Sequence, residues 1–103
     1  MINFFASKIY IDIIVNDSFI RVVNDNELLM EGTYESCMSK IRQIVNNIPS
    51  KGEKTFVFNI INKASSETAY EVDRSYFRSQ LFLLNSSCGS DIKINERPFN
   101  QLT

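Results

Sequence analysis

Carboxylates are the side chains of this sequence with the clearest potential for chemistry. Residues 1–35 carry six of them against two basic side chains, whereas residues 36–103 carry six acids and nine bases. The chain has no histidine, the residue that most often performs general acid–base catalysis. The near-neutral total therefore hides a first third with a net charge of −4 and a remainder of +3, and such an asymmetry steers the choice of binding partners.

No nucleophile motif, phosphate-binding loop or cluster of metal ligands accompanies these carboxylates. The serines have no histidine or lysine arranged beside them as an activating base, so turns and helix caps explain them. Cys37 and Cys88 are too few for a disulfide scaffold or a metal site, and we expect two free thiols. The sequence therefore predicts no enzyme activity, no cofactor and no metal.

Length and composition predict a single domain over residues 1–103. A 44% apolar content is enough for one packed core, and three glycines with two prolines argue against disorder. The longest apolar runs fall far short of the roughly 18 residues that a membrane helix needs. The first ten residues carry no basic region ahead of an apolar block, so we expect no secretory signal and a cytoplasmic location.

Period-two alternation predicts a strand over Lys8–Val15, and its inward face carries Ile9, Ile11, Ile13 and Val15. Asn16-Asp17 follows directly and tolerates the positive φ angles that a two-residue hairpin turn demands. A hairpin closed there sets Asp12 opposite Arg21, where opposite charges stabilise a strand pair by about 0.2–1 kcal/mol.

A second hairpin is predicted at residues 25–27, with a three-residue loop. This loop length sets Arg21 opposite Glu31 and extends the charged pair into a ladder with Asp12 across three strands. A two-residue loop would instead place Ile20 against Glu31 on the core face, which would bury a charge. The first third of the chain is therefore predicted to be an antiparallel three-strand meander.

Apolar residues at helical spacing predict an amphipathic helix over about residues 35–48, and its apolar positions are Tyr34, Cys37, Met38, Ile41, Ile44, Val45 and Ile48. Thr33 can cap its start, and Pro49 ends it because the residue before proline resists helical geometry. Residues 54–62 then form a predicted strand with Phe56, Phe58 and Ile60 inward.

The hydrophobic pattern of the last third of the chain does not predict a single secondary structure. Residues 68–72 read as a short antiparallel strand, and residues 73–84 fit either a helix capped by Asp73 or a strand. Of the two, we favour a helix over about residues 74–85. A final short strand is predicted around Ile92 and Ile94, followed by a loose tail from Pro98. The order predicts an α+β fold, in which an antiparallel sheet packs one face against the helix over residues 35–48.

Ile9-Tyr10-Ile11-Asp12, followed by a hairpin, resembles the opening strand of ribonuclease-H-like and actin-like domains. In those families an aspartate on the first strand holds the metal, and Asp12 occupies the matching position. The resemblance covers about a dozen residues. No glycine-rich phosphate turn follows Asp12, and the chain is too short for the usual sheet with its second-half aspartate. We therefore take no metal-dependent function from it.

The outward face of the predicted meander mixes apolar with charged side chains: Tyr10, Ile14, Phe19, Val23 and Leu29 share it with Asp12, Arg21 and Glu31. In a sheet with one face exposed to solvent, apolar and polar residues should alternate more regularly along each strand. We therefore expect either the second helix or a binding partner to cover the outward face. An apolar and acidic patch of this kind is typical of a protein-binding surface. Residues 74–78 interleave bases with aromatics, but a pI near 5.4 argues against nucleic acid as the partner.

These observations predict a small intracellular protein-binding module, most specifically an inhibitor or immunity-type protein that neutralises a basic partner such as a nuclease toxin. The candidate partner-binding residues are Asp17, Asp25, Glu27, Glu31, Tyr34 and Glu35. All except Asp17 should project from one end or edge of the sheet, and Asp17 should lie at the other end of the second strand.

The alternative function is a homo-oligomeric structural or adaptor protein of a mobile element. Its half-apolar sheet face would then pair with a second copy, giving a homodimer. The abundance of isoleucine and asparagine, with only three glycines, is typical of AT-rich genes, and such genes are common on mobile DNA.

Overall fold

The computed structural model describes residues 7–47, 54–87 and 91–96. Within them the chain forms, in order, β1 (Lys8–Val15), β2 (Ile20–Asn24), β3 (Glu27–Gly32), α1 (Tyr34–Asn47), β4 (Thr55–Asn62), α2 (Glu67–Ser87) and β5 (Asp91–Glu96). One five-stranded sheet runs in the order β3-β2-β1-β4-β5. Strand β2 is antiparallel to the other four. The α+β class and the antiparallel meander are confirmed, but the sheet as a whole is mixed, so the prediction of an antiparallel sheet is wrong.

The parallel half of the sheet follows from the two long connections, from β3 to β4 and from β4 to β5. Strand β4 lies parallel to β1 from Lys8↔Thr55 to Val15↔Asn62, and β5 lies parallel to β4. Each connection contains a helix, which returns the chain to the end of the sheet where a parallel strand begins. Strand β4 is apolar toward both faces, with Phe56, Val57 and Phe58 all buried, as is typical of a strand in a parallel sheet.

The core lies between the sheet and the two helices, which pack on the same face. The inward positions of β1 are at most 3% exposed, and they join buried residues of both helices in one cluster, namely Ile9, Ile11, Ile13 and Val15 with Cys37, Met38, Ile41, Val45, Tyr70, Phe77, Leu81 and Leu84. Helix α1 contacts β2, β3 and α2, whereas α2 contacts β1 and β5. Neither of these two helices covers the opposite face of the sheet, which we call the open face.

Helix α1 matches the prediction from its apolar spacing. It starts at Tyr34, one residue before the predicted start, and Thr33 caps it, since the backbone N–H of Ser36 donates to Thr33 Oγ1 at 3.1 Å. The predicted helix end at Pro49, the turn over residues 50–53, the thiol of Cys88 and the tail from Pro98 lie outside the described residues.

Helix α2 contains the predicted second helix and extends well before it. The predicted strand over residues 68–72 is wrong, because these residues form the first turns of α2. The cap is Ser66, whose Oγ accepts from the backbone N–H of Ala69 at 3.3 Å, and the predicted cap Asp73 lies inside the helix. Tyr70 is fully buried on the same face as Phe77, so burial against the sheet extends the helix toward its N-terminus.

The first hairpin differs from its predicted register by two residues. Asp12 lies opposite Val23, and Arg21 lies opposite Ile14, so the predicted Asp12–Arg21 pair is wrong. Residues 16–19 form the loop between the strands. A shift of two keeps every side chain on its predicted face, and for that reason the hydrophobic pattern could not distinguish the two registers.

The second hairpin keeps its predicted register but not its predicted loop. Arg21 lies opposite Glu31, as expected. The turn is the two-residue Asp25-Asn26, with φ angles of 46° and 67°, and a bulge at Leu29 absorbs the extra residue. Positive φ at both central residues is what a hairpin turn of type I′ requires.

The left-handed backbone at Asn26 gives a test of this turn. We expect Asn26→Val to lower the free energy of unfolding by about 1–3 kcal/mol, because a β-branched side chain is strained at positive φ. Asn26→Gly is the matched control and should change it by less than about 0.5 kcal/mol, since glycine adopts this conformation readily. Urea unfolding of both variants measures the difference, and equal stabilities would contradict the turn conformation.

Candidate functional site

Strand β3 forms one edge of the sheet and joins five of the six predicted site residues. Asp25 lies in the turn before it, Glu27 and Glu31 lie on it, and Tyr34 with Glu35 begins α1 directly after it. All five are exposed. We call the segment from Asp25 to Glu35 the acidic edge, because it carries four carboxylates and no lysine or arginine.

One carboxylate of the acidic edge is neutralised by a neighbouring strand. Arg21 Nε donates to Glu31 Oε1 at 2.7 Å, and both side chains are nearly half exposed. The guanidinium also lies over the Phe19 ring, 4.8 Å from its centre, which holds it in place. An exposed pair of this kind contributes about 0.2–1 kcal/mol to stability. The segment itself contributes four carboxylates and no lysine or arginine, so it is a source of negative charge.

An apolar residue that the sequence did not select lies among these carboxylates. The bulge sets Leu28 opposite Val23, so Leu28 faces outward and is 53% exposed, whereas Leu29 packs against the core. The expected outward position of Leu29 is therefore wrong. The bulge alone decides which of the two leucines faces outward, and no residue type in this segment indicates a bulge. An exposed leucine beside carboxylates gives the edge a mixed apolar and acidic character.

The far end of the acidic edge is held by the start of α1. Tyr34 is 38% exposed, and its ring meets the Tyr76 ring of α2 edge-on with 4.5 Å between centres. Glu35 lies in the first turn of α1, where the helix dipole favours a negative charge. The ring contact holds Tyr34 at the end of the strand.

Asp17 is separate from the other predicted site residues except Tyr34. It lies in the loop before β2, at the end of that strand away from Asp25. Its carboxylate accepts from the backbone N–H of Ser65 at 2.7 Å and from the Ser65 hydroxyl. Asp17 thus ties the β1–β2 loop to the loop that enters α2, a structural role that the sequence pattern did not indicate.

Asp17, Tyr34 and Asp73 line a common depression of about 210 Å³ between the β1–β2 loop and the helices. Asp73 is partly buried there, and this burial raises the pKa of its carboxyl above the ordinary value. The depression therefore brings together two predicted site residues and one carboxylate that the sequence assigned to a helix cap.

The open face carries a row of polar side chains across three parallel strands. Asn95 Nδ2 donates to Asn59 Oδ1, and Asn59 Nδ2 donates to Asp12 Oδ1, both at 3.0 Å. The same residues line a depression of about 370 Å³. The neighbours of Asp12 are thus carboxamides, and the described ranges hold no group of three or more acidic, histidine or cysteine residues placed to bind a metal ion.

Cys37 is fully buried and is a free thiol, as predicted. Its Sγ–H donates to the carbonyl oxygen of Ile20 at 3.4 Å. Burial raises the pKa of the Cys37 thiol, which disfavours the reactive thiolate. Its role in the described structure is that of a core residue.

No protein-family model, curated protein or solved structure matches this chain. Neither helix within the described ranges combines the length and apolar character needed to cross a membrane. The interpretation of the acidic edge rests on its own geometry and charge.

The Arg21–Glu31 pair can be tested by reversing its charges. We expect Arg21→Glu to lower the free energy of unfolding by about 0.5–1 kcal/mol, because like charges then face each other across β2 and β3. Adding Glu31→Arg should recover most of that loss. If neutralising Asp12 instead rescued the Arg21→Glu variant, the ladder predicted from the sequence would be correct and the observed register wrong.

The partly buried carboxyl of Asp73 gives a pH-dependent prediction. Because its pKa is raised in the folded protein, ionisation destabilises the fold, and stability is lost as the pH rises through the raised value. Asp73→Asn should therefore unfold at a higher urea concentration than wild type at pH 7. The difference should vanish well below about pH 3.9, the ordinary aspartate value, where the carboxyl is protonated in both states. A gain that persists there would assign the effect to packing.

Proposed function

We propose that this protein is a non-enzymatic protein-binding module, an inhibitor or immunity-type protein of the cytoplasm that neutralises a basic partner such as a nuclease toxin. The acidic edge is the observation that carries this proposal. This segment contributes four carboxylates and no base of its own to one exposed edge of the sheet, where Glu31 is paired with Arg21, together with the exposed side chains of Leu28 and Tyr34.

The chemistry of a nuclease supports this kind of partner. A cleft that binds nucleic acid neutralises phosphates with lysine and arginine. A surface that blocks the cleft must therefore present negative charge in an extended arrangement, and complementary charge also accelerates the encounter of the two proteins. The acidic edge is negative and extended, because it follows a strand from its turn to the following helix.

The backbone of β3 provides a second means of recognition. Among the described strands β3 is at the edge of the sheet, with β2 as its neighbour on one side only. A partner can add a strand to such an edge, with main-chain hydrogen bonds giving affinity and side chains giving specificity. Exposed Leu28 would then contribute apolar contact near the start of the strand.

Charged residues on an edge strand also have a simpler role, since they prevent sheets from pairing edge to edge. Lysine protects an edge as well as glutamate does, so the sign of the charge distinguishes the two roles. A purely protective edge tolerates a change from acid to lysine, whereas an edge that binds a basic partner does not.

The alternative function, self-pairing through the sheet face, has weaker physical support. The open face does carry apolar residues, including exposed Tyr10. The hydrogen-bonded row of Asp12, Asn59 and Asn95 crosses it, however, and pairing two such faces would remove a carboxylate from water. We therefore place the partner on the acidic edge.

The decisive variant combines Asp25→Lys with Glu27→Lys. The partner is captured from an extract of the native host on the wild-type protein, and its association with each variant is then followed on a biosensor at low and high salt. We expect the double reversal to slow association by about 10- to 100-fold at low salt, since rim charges act mainly on the association rate. The wild-type rate should fall steeply as salt is added.

The matched control combines Glu67→Lys with Asp91→Lys, two exposed positions away from the acidic edge. It changes the net charge by the same amount and should bind nearly as fast as wild type. Circular dichroism checks that both variants are folded. If the double reversal at Asp25 and Glu27 associates as fast as wild type at low salt, the acidic edge is not the interface.

A further inference from the structure

A carboxylate without a partner lines the depression between the β1–β2 loop and the start of α1. It belongs to Asp73 of α2, and no base or hydrogen-bond donor among the described residues pairs with it. Burial raises the pKa of the Asp73 carboxyl, because no neighbouring charge or donor there offsets the lost hydration of its ionised form. A cation that enters the depression can supply the missing partner.

The charged side chains that line this depression, within the described ranges, are both acidic. The second is Asp17, on the loop before β2. It accepts hydrogen bonds from the backbone N–H and the hydroxyl of Ser65, which hold it in position without neutralising its charge. Two carboxylates from distant parts of the chain therefore line one space, and their combined charge selects a cation over an anion.

Aromatic rings complete the lining of the depression. Phe19 and Tyr34 contribute to its wall, and Tyr34 is 38% exposed. The face of an aromatic ring attracts a cation, most strongly where water is partly excluded. The volume of about 210 Å³ is several times the roughly 30 Å³ that one water molecule occupies in the liquid, so an organic cation of several atoms fits.

The protein already holds one guanidinium with the same combination of groups. The Arg21 guanidinium lies 4.8 Å from the centre of the Phe19 ring, and its Nε donates to Glu31 at 2.7 Å. One ring and one carboxylate hold it there, although Arg21 and Glu31 are nearly half exposed. The depression offers the Tyr34 ring with two carboxylates, one of them partly buried.

The lining also distinguishes a guanidinium from other cations. Calcium and magnesium ions take about six or more oxygen ligands, and the described residues hold no group of three or more acidic, histidine or cysteine side chains placed for a metal. An ammonium is compact and strongly hydrated, whereas a guanidinium is planar, weakly hydrated and able to stack on a ring while it donates to carboxylates. Its five N–H donors suit a site whose acceptors come from separate elements.

We infer that this depression is a binding site for a guanidinium group, held by the Asp73 carboxylate and the Tyr34 ring, with Asp17 adding negative charge. Because Tyr34 also belongs to the acidic edge, the depression adjoins that edge at the start of α1. A partner bound to the edge can therefore insert an arginine side chain. This source of the group rests on the proposed function, but the site itself does not, since a small guanidino compound carries the same group.

An NMR titration of the full chain with Nα-acetyl-arginine methylamide tests the site directly. We expect the backbone amide signals of Tyr34 and Asp73 to shift with a dissociation constant of about 1–10 mM, which suits a single bound side chain. The citrulline analogue has an uncharged group of nearly the same shape and should cause no saturable shift. The lysine analogue keeps the charge but loses the planar group, and it should bind about threefold or more weakly.

The Asp73→Asn variant should bind the arginine probe about tenfold or more weakly, because it loses the charge and keeps the shape. We expect this variant to be at least as stable as wild type, so weaker binding would not reflect unfolding. Asp91→Asn is the matched control, since it makes the same change of charge at an exposed position at the opposite end of the sheet. It should bind the probe as wild type does.

Three results would overturn the inference. The arginine probe could shift no signal of the lining residues, the citrulline or lysine probe could bind as tightly as the arginine probe, or Asp73→Asn could bind the arginine probe as tightly as wild type.

The captured partner then distinguishes the two sources of the guanidinium. If the partner inserts an arginine, Asp73→Asn should speed its dissociation about tenfold and leave its association rate nearly unchanged, because an enclosed charge pair acts on dissociation. If the partner dissociates from Asp73→Asn as slowly as from wild type, while this variant has lost the probe, the site takes a free guanidino compound. An unchanged association rate for the Asp25 and Glu27 reversal would remove the proposed function and leave the probe result unaffected.

Discussion

The parallel pairing of β1 with β4 is the constraint on which the rest of this structure depends. It joins eight consecutive residue pairs in the middle of the sheet, and β1 holds β2 on its other side. The inward isoleucines of β1 are buried beneath both helices. A central strand of this kind must be apolar on its inward face at every second residue, because each such position is closed off by neighbours on both sides and above.

The same alternation fixes what the outward face can carry. Residues between the buried isoleucines point away from the helices, and Asp12 is among them. The parallel register sets Asp12 beside Asn59, and Asn59 beside Asn95, so the Asp12 carboxylate accepts a hydrogen bond from one carboxamide, which in turn accepts one from the next. The resemblance to families with a metal-binding aspartate covers Asp12, but the residues that the register places around it do not supply further carboxylates.

The acidic edge shows how local backbone geometry decides which side chains a partner can meet. A two-residue turn and a bulge together keep Arg21 opposite Glu31, turn Leu28 outward and turn Leu29 into the core. Without the bulge, the residues beyond it on β3 would change faces, because side chains alternate along a strand. The edge thus gains an exposed leucine among its carboxylates while Glu31 stays paired with Arg21.

The sequence by itself determined those features that depend on neighbours along the chain. The alternation of residues 8–15, the apolar spacing and Thr33 cap of α1, and the concentration of acids before residue 36 are all local patterns, and each predicted the observed element or charge. The edge position of Asp25, Glu27, Glu31, Tyr34 and Glu35 was expected on the same basis, because they belong to one short segment.

Only the tertiary structure decided the features that depend on distant segments. Strand direction in the second half of the sheet is set by where α1 and α2 return the chain, and the hydrophobic pattern of a strand is the same in either direction. The first hairpin could shift by two residues with no change of face. Residues 68–72 alternate over a stretch too short to distinguish strand from helix, and the burial of Tyr70 against the sheet made them helical. The hydrogen bond between Asp17 and Ser65 could not be predicted from local patterns either, because the two residues are 48 positions apart in the sequence.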